Sequence, residues 1–350
     1  MTNKSQNSYS GIDIGKFACS LLILFYHYFT ENQPIGGLFG EAMSLYAVAV
    51  ALFMAMSGFL LFDKLEKVVD QQKRWFIVKK QVLRIYRIYI LWSIPYLIFS
   101  ILRWDWTSIS FTFILWQLQR WVFNTTFYTI WFMPMLAIGI LFTFWIDEKL
   151  PKLFVLVLAV ICWSLGSLSL TYSFIGAKIP GFNNFIALEN IWLGGPRGWL
   201  FFAFPLILIG KYMVKIKNNV NFFFMGGLSC VFLIGIIVEA LLIRFTSGGH
   251  SGIDLTFMMI PTVFCLLGFL IKLPINVASY GVWMRKISTL IFMTQRIFLT
   301  VLPTMFPVFY NSYVASNAYI SFCAMCGATV MFSMLIFKIS KYHKFFTYLY

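Results

Sequence analysis

Acidic residues are scarce in this chain, 12 Asp and Glu among 350 residues, and charged residues of both signs make up only 11%. A water-facing domain carries about 25%, so this chain could not cover a solvated surface. Histidine is scarcer still, with three scattered residues, and no metal-ligand cluster is implied. The six cysteines, Cys19, Cys162, Cys230, Cys265, Cys323 and Cys326, all lie inside apolar runs, which argues against a disulfide framework in external loops. The alternating polar and apolar pattern of a membrane barrel is missing. There is no internal repeat, no low-complexity tract and no soluble basic domain. The net charge of +15 therefore does not point to nucleic acid.

What the chain has instead is apolar length: 60% of its residues are hydrophobic and its mean hydropathy is +0.82. Backbone groups inside lipid must be satisfied within their own segment, and long unbroken runs do this as helices. Such runs lie near 12–29, 42–62, 83–102, 130–146, 153–170, 199–214, 221–243, 254–271, 287–307 and 315–337. The expectation is an all-α polytopic membrane bundle of about ten transmembrane helices, forming one domain over 1–350. The first run is followed by Asn32-Gln33-Pro34 and not by a small-residue cleavage site, so it reads as an uncleaved helix. Most of the 27 Lys and Arg fall in alternate connections, which places the N- and C-termini in the cytoplasm. Two long outer loops are expected at 103–129, rich in Trp, and at 171–198.

Ionisable groups within or beside spans are functional candidates. His27 and Lys16 are eleven residues apart on the first helix, so they share a face about 16 Å apart along the axis. An imidazole there can act as base or nucleophile; the bland alternative is a histidine bonded to a helix neighbour at the outer interface. Arg84 and Arg87 open the third span on one face. Guanidinium forks suit phosphate oxygens, while topology signal and anionic lipid headgroups are the alternative. Ser57-Gly58-Phe59 permits close helix approach, and no base stands beside Ser57 to make it a nucleophile. Arg197, His250 and Asp254 face outward as substrate-side candidates; His250 sits in the Gly-rich stretch Ser247–Gly252, where a solvated histidine is the plain reading.

Taken in order, these pieces resemble the acyltransferase-3 family of bacterial integral membrane O-acyltransferases. Lys16, ten intervening residues and His27 look like the family's opening helix. Val50 to Leu61, with Ser57-Gly58-Phe59, looks like its second-helix signature. Arg84-Ile85-Tyr86-Arg87 matches its Arg-x-x-Arg motif, and Trp131-Phe132-Met133-Pro134 resembles the start of its fourth helix. The resemblance implies a catalytic role for His27 and donor binding by Lys16, Arg84 and Arg87. The donor would be cytoplasmic acyl-CoA, most simply acetyl-CoA, with no permanently bound cofactor and no metal. The acceptor would be a hydroxyl of an extracytoplasmic glycan or envelope polysaccharide, reached from the bacterial cytoplasmic membrane among its lipids. Two departures stand out. Gln295, followed by Arg296, occupies a place where the family often has histidine, and the sequence stops at Tyr350 without the esterase-like domain of some members. Either the core acts directly on its acceptor or a separate extracytoplasmic acyltransferase partner completes the transfer. Gly195 to Phe202 also resembles the membrane halves of serine-racemase-type resistance proteins. The rival reading is a polysaccharide exporter or flippase, or an amino-acid-related transporter, in which the same residues line a permeation path.

Overall fold

The computed structural model describes residues 9–32, 45–104, 106, 109–123, 130–247, 254–314 and 318–350. Among them the chain is a bundle of helices: α1 (Ser10–Asn32), α2 (Leu45–Glu66), α3 (Gln71–Leu102), α4 (Phe111–Phe123), α5 (Phe132–Lys149), α6 (Lys152–Ser169), α7 (Phe204–Ile216), α8 (Phe222–Ser247), α9 (Met259–Ile271), α10 (Ala278–Arg296) and α11 (Ala318–Ile339). Eight helical stretches are long and apolar enough to cross a membrane, and α9 is a shorter apolar helix. α5 is 18 residues long but ends in Asp147, Glu148 and Lys149. The ten expected apolar segments thus each coincide with a helix, with boundaries that differ for identifiable reasons.

α3 begins twelve residues before its apolar run because Asp70 caps it, its side chain accepting from the backbone N–H groups of Gln72 (2.9 Å) and Lys73 (3.4 Å), a bond that satisfies otherwise orphaned helix-end donors. The polar start is then tied down by an ion pair between Arg74 and Glu148 of α5 at 2.7 Å. α7 is preceded by a π turn, Trp199–Ala203. α9 starts at Met259, so Asp254 lies before the helix and not within it. The Trp-rich outer loop contains α4, whose Phe111, Trp116 and Leu118 are exposed, as suits a helix lying at an interface.

Charge is distributed unequally between the two ends of the bundle. At one end Asp63 of α2 accepts from Tyr9 (3.0 Å) and Lys67 (2.9 Å) and pairs with Lys217 after α7; Lys211 pairs with Asp147 and Arg285 with Asp13. These are the residues that the positive-inside pattern assigns to the cytoplasm.

α7 packs on α2 more extensively than any other pair of helices. The contact runs backbone to backbone. A Cβ on Gly58 would lie 2.7 Å from the carbonyl oxygen and 3.0 Å from the Cα of Ile207, and one on Gly210 would meet the backbone nitrogen of Phe59 at 2.5 Å. Backbone atoms cannot turn aside, so any side chain there must separate the helices. Gly58→Leu is expected to lower Tm in detergent by an amount equivalent to at least about 1–3 kcal/mol, the usual penalty of overpacking. Gly327→Ala, with open space around its Cα, should leave Tm unchanged. Equal Tm values for the two variants would refute the close crossing.

Candidate active site

His27 lies in the last turns of α1, half-buried. Its Nδ1 is 3.0 Å from an Nη2 of Arg296, at the end of α10. A guanidinium carries only donors. Nδ1 therefore accepts, and the neutral imidazole carries its hydrogen on Nε2. Arg296 is 5% exposed and also donates through Nη1 to Thr300 Oγ1 at 3.2 Å. Gln295, at the position of the family's second histidine, is fully buried and turned along its own helix, its Nε2 bonded to the Phe292 carbonyl at 3.0 Å. It is the next residue, not Gln295, that meets His27.

These groups border a cavity of about 210 Å³ whose wall also includes Tyr46, Val50, Trp131, Phe132, Arg197, Phe202, Asp254 and Phe292. Two of the three substrate-side candidates enter it together. Asp254 is 6% exposed; one carboxylate oxygen accepts from Tyr46 Oη and the other pairs with Arg197. Tyr46 in turn lies face to face with Tyr26, the neighbour of His27. The third candidate, His250, lies outside the described residues.

Local backbone sets both partners. Gly194 and Gly195 take φ values of +79° and +75°, a left-handed turn costly for other residues, and the chain emerges through Pro196 with Arg197 directed at the cavity. Asp254 is held by its successors: the Leu255 N–H donates to Thr171 Oγ1 (3.0 Å), and those of Phe257 and Met258 donate to Glu239 of α8 (2.6 and 2.9 Å). Glu239 thus receives the N–H groups leading into α9. Glu189, ahead of the Gly194–Gly195 turn, is fully buried, and burial pushes its carboxyl up to about 7.

The opposite end of the site gathers the cations. Lys16 sits with its Nζ 5.4 Å from the Phe53 ring centre and within electrostatic reach of Arg84 and Arg285. Arg84 also feels Arg87. Arg285 pairs with the buried Asp13 at 3.2 Å, and Arg87 lies over the ring of Tyr348 at 4.7 Å. The three expected donor-side residues are therefore joined by Arg285, which the sequence offered only as a topology signal. A pattern could have found it. Arg285 and Arg296 are eleven residues apart, as are Lys16 and His27; α1 and α10 run parallel and pair along their length. Ser57 does what its sequence context indicates: its hydroxyl bonds the Phe53 carbonyl at 2.8 Å.

Comparison with known proteins bears on this geometry. A family model for an acyltransferase domain, that of the acyltransferase-3 family, matches residues 9–338. A protein of Enterococcus faecalis described as an amino-acid racemase is 23% identical over 263 residues, covering 74% of this chain and 36% of that protein. The match thus takes in about a third of the length of that relative. No solved structure matches.

Proposed function

Because the chain belongs to the acyltransferase-3 family over nearly its whole length, and is a multi-pass membrane acyltransferase, we propose that it moves an acetyl or similar short acyl group from cytoplasmic acyl-CoA to a hydroxyl of an extracytoplasmic glycan. The observation that carries this reading is the pair of polar ends that α1 and α10 share. An imidazole faces a cavity at one end, and four cations, Lys16, Arg84, Arg87 and Arg285, cluster at the other, about 16 Å deeper along α1. Coenzyme A is too large and too charged to cross hydrocarbon; its phosphates suit the arginines, and only the thioester on its uncharged arm need advance.

In the reaction so read, the acceptor hydroxyl adds to the thioester carbonyl as its proton passes to His27. Nδ1 carries the lone pair, so the hydroxyl takes the position that Arg296 holds at rest. The displaced guanidinium is then free to face the oxyanion that forms, where a positioned cation has its greatest effect. Collapse breaks the carbon–sulfur bond, the ester is released, and the coenzyme A thiolate leaves with the proton returned by the imidazole. The Arg197–Asp254–Tyr46 group lies beside this point and presents guanidinium donors and an accepting phenol oxygen to a sugar. A bacterial cytoplasmic membrane and an envelope polysaccharide acceptor, with or without a separate outer acyltransferase partner, complete the reading.

The test is sided. Protein is placed in vesicles with acyl-labelled CoA on the Lys16 side and glycan on the other. Label recovered as ester on the glycan supports transfer; glycan crossing the membrane with all label still on CoA would replace this reading with export. Arg84→Ala and Arg87→Ala are each expected to raise KM for acyl-CoA about ten- to hundredfold, the loss of one charge-assisted hydrogen bond, with little change in KM for glycan. Unchanged donor kinetics would remove the arginines from the donor site.

A further inference from the structure

Between the two polar ends stand three phenylalanines from three helices. Phe53 of α2, Phe132 of α5 and Phe292 of α10 have ring centres 5.6, 5.4 and 6.5 Å apart, pair by pair, which is van der Waals contact among aromatic rings. Phe132 and Phe292 form part of the wall of the His27 cavity, whereas the Phe53 ring lies beneath Lys16 Nζ. Order along the helices agrees. On α2 the chain passes from Tyr46 and Val50 in the cavity to Phe53 one turn deeper; on α10 it passes from Arg285 at the cationic end to Phe292 about 10 Å further on, and then Arg296. Phe132 and Phe292 are almost fully buried. The rings meet at one level, between the cations that would hold the donor and the imidazole that would act on its acyl carbon.

We propose that Phe53, Phe132 and Phe292 are the specificity-determining partition of this enzyme, which admits a short acyl chain past the rings and rejects a longer one. The inference rests on the acyl-transfer reading. An acyl carbon that travels from the Lys16 end to His27 must cross the plane where these rings meet, and each added methylene must find room among them. A rigid apolar wall discriminates by about 10–200-fold per methylene when the fit is close. Three phenylalanines serving only as core would show a different signature: trimming one would lower Tm and slow all donors equally.

The experiment compares acetyl-, butyryl- and hexanoyl-CoA on wild type, Phe292→Ala, Phe132→Ala and Phe53→Ala, with Phe245→Ala, at a ring 83% exposed, as control. The readout is the ratio of kcat/KM for hexanoyl- to acetyl-CoA. It is expected to rise at least tenfold in the three partition variants and to stay fixed in the control. Should an alanine variant fail to accumulate, the corresponding leucine variant must shift the ratio in the same direction. A ratio unchanged in every partition variant that still transfers acetyl would overturn the partition and leave the transferase reading intact. Wild-type protein that esterifies no acceptor with any of the three donors would overturn both.

Discussion

His27→Gln is expected to reduce ester formation by about 10²–10⁴-fold, the usual contribution of a positioned acid–base group, at unchanged membrane abundance. The amide of Gln can occupy the same volume and can still accept from Arg296 through its oxygen, so the fold and the 3.0 Å link to α10 have a substitute. What it cannot do is take a proton. Assaying acyl esters on surface glycan alongside total exported glycan separates the outcomes. Lost ester with normal export is the transferase result, and lost export with the His27→Gln variant would instead make His27 part of a permeation path. Arg296→Met sharpens the point. With no donor at Nδ1 the imidazole is free to take either tautomer, and the ring nitrogen shifts of His27 in a ¹⁵N-labelled sample should change from a fixed Nε2–H form to a mixture. The rate is expected to fall about 10²–10³-fold, as when one preorganised donor to a developing oxyanion is removed.

The second large effect concerns the Arg197–Asp254 pair. Asp254 is 6% exposed, and without Arg197 its carboxylate would keep, among the described residues, the Tyr46 hydroxyl as its side-chain partner. Leaving a buried charge uncompensated costs about 3–5 kcal/mol; Arg197 keeps 44% of its side chain in contact with solvent, which places Arg197→Met near or below the lower figure. Asp254→Asn is the milder change, because the amide still accepts from Tyr46. The double variant Arg197→Met/Asp254→Leu removes both charges and should recover most of the lost Tm while leaving KM for the glycan raised. Recovery of acceptor use together with Tm would reduce the pair to a structural clasp. No loss of Tm in Arg197→Met would contradict the ion pair itself.

Much of this was legible in the sequence because helices in lipid announce themselves locally. Apolar length marked each helix, and the gathering of Lys and Arg in alternate connections separated the two ends. Lys16 and His27 could be assigned to one face by helical geometry alone, and the structure places both toward the interior. Arg197 could be singled out because it immediately precedes a span, and its acidic partner proved to be Asp254. The groups missed share one property: each acts through a partner distant in sequence. Arg296 meets His27 across 269 positions and Tyr46 meets Asp254 across 208, and no local pattern encodes which helices will be neighbours. Tyr348, over Arg87, comes from the last turn of the chain and carries no motif. The start of α9 was misjudged because the apolar character of Leu255 to Met258 continues that of the helix; hydrogen bonds to Thr171 and Glu239 hold those residues outside it.

The clasp between Arg285 and Asp13 and the clasp between Arg296 and His27 join the same two helices at two levels, in one register. Helices joined in this way cannot slip at one level and hold at the other, since a helix is stiff along its axis and moves as a rod. Sliding α1 along α10 would therefore have to break the contact at Asp13 and the contact at His27 together, so the two polar ends are held at a fixed spacing.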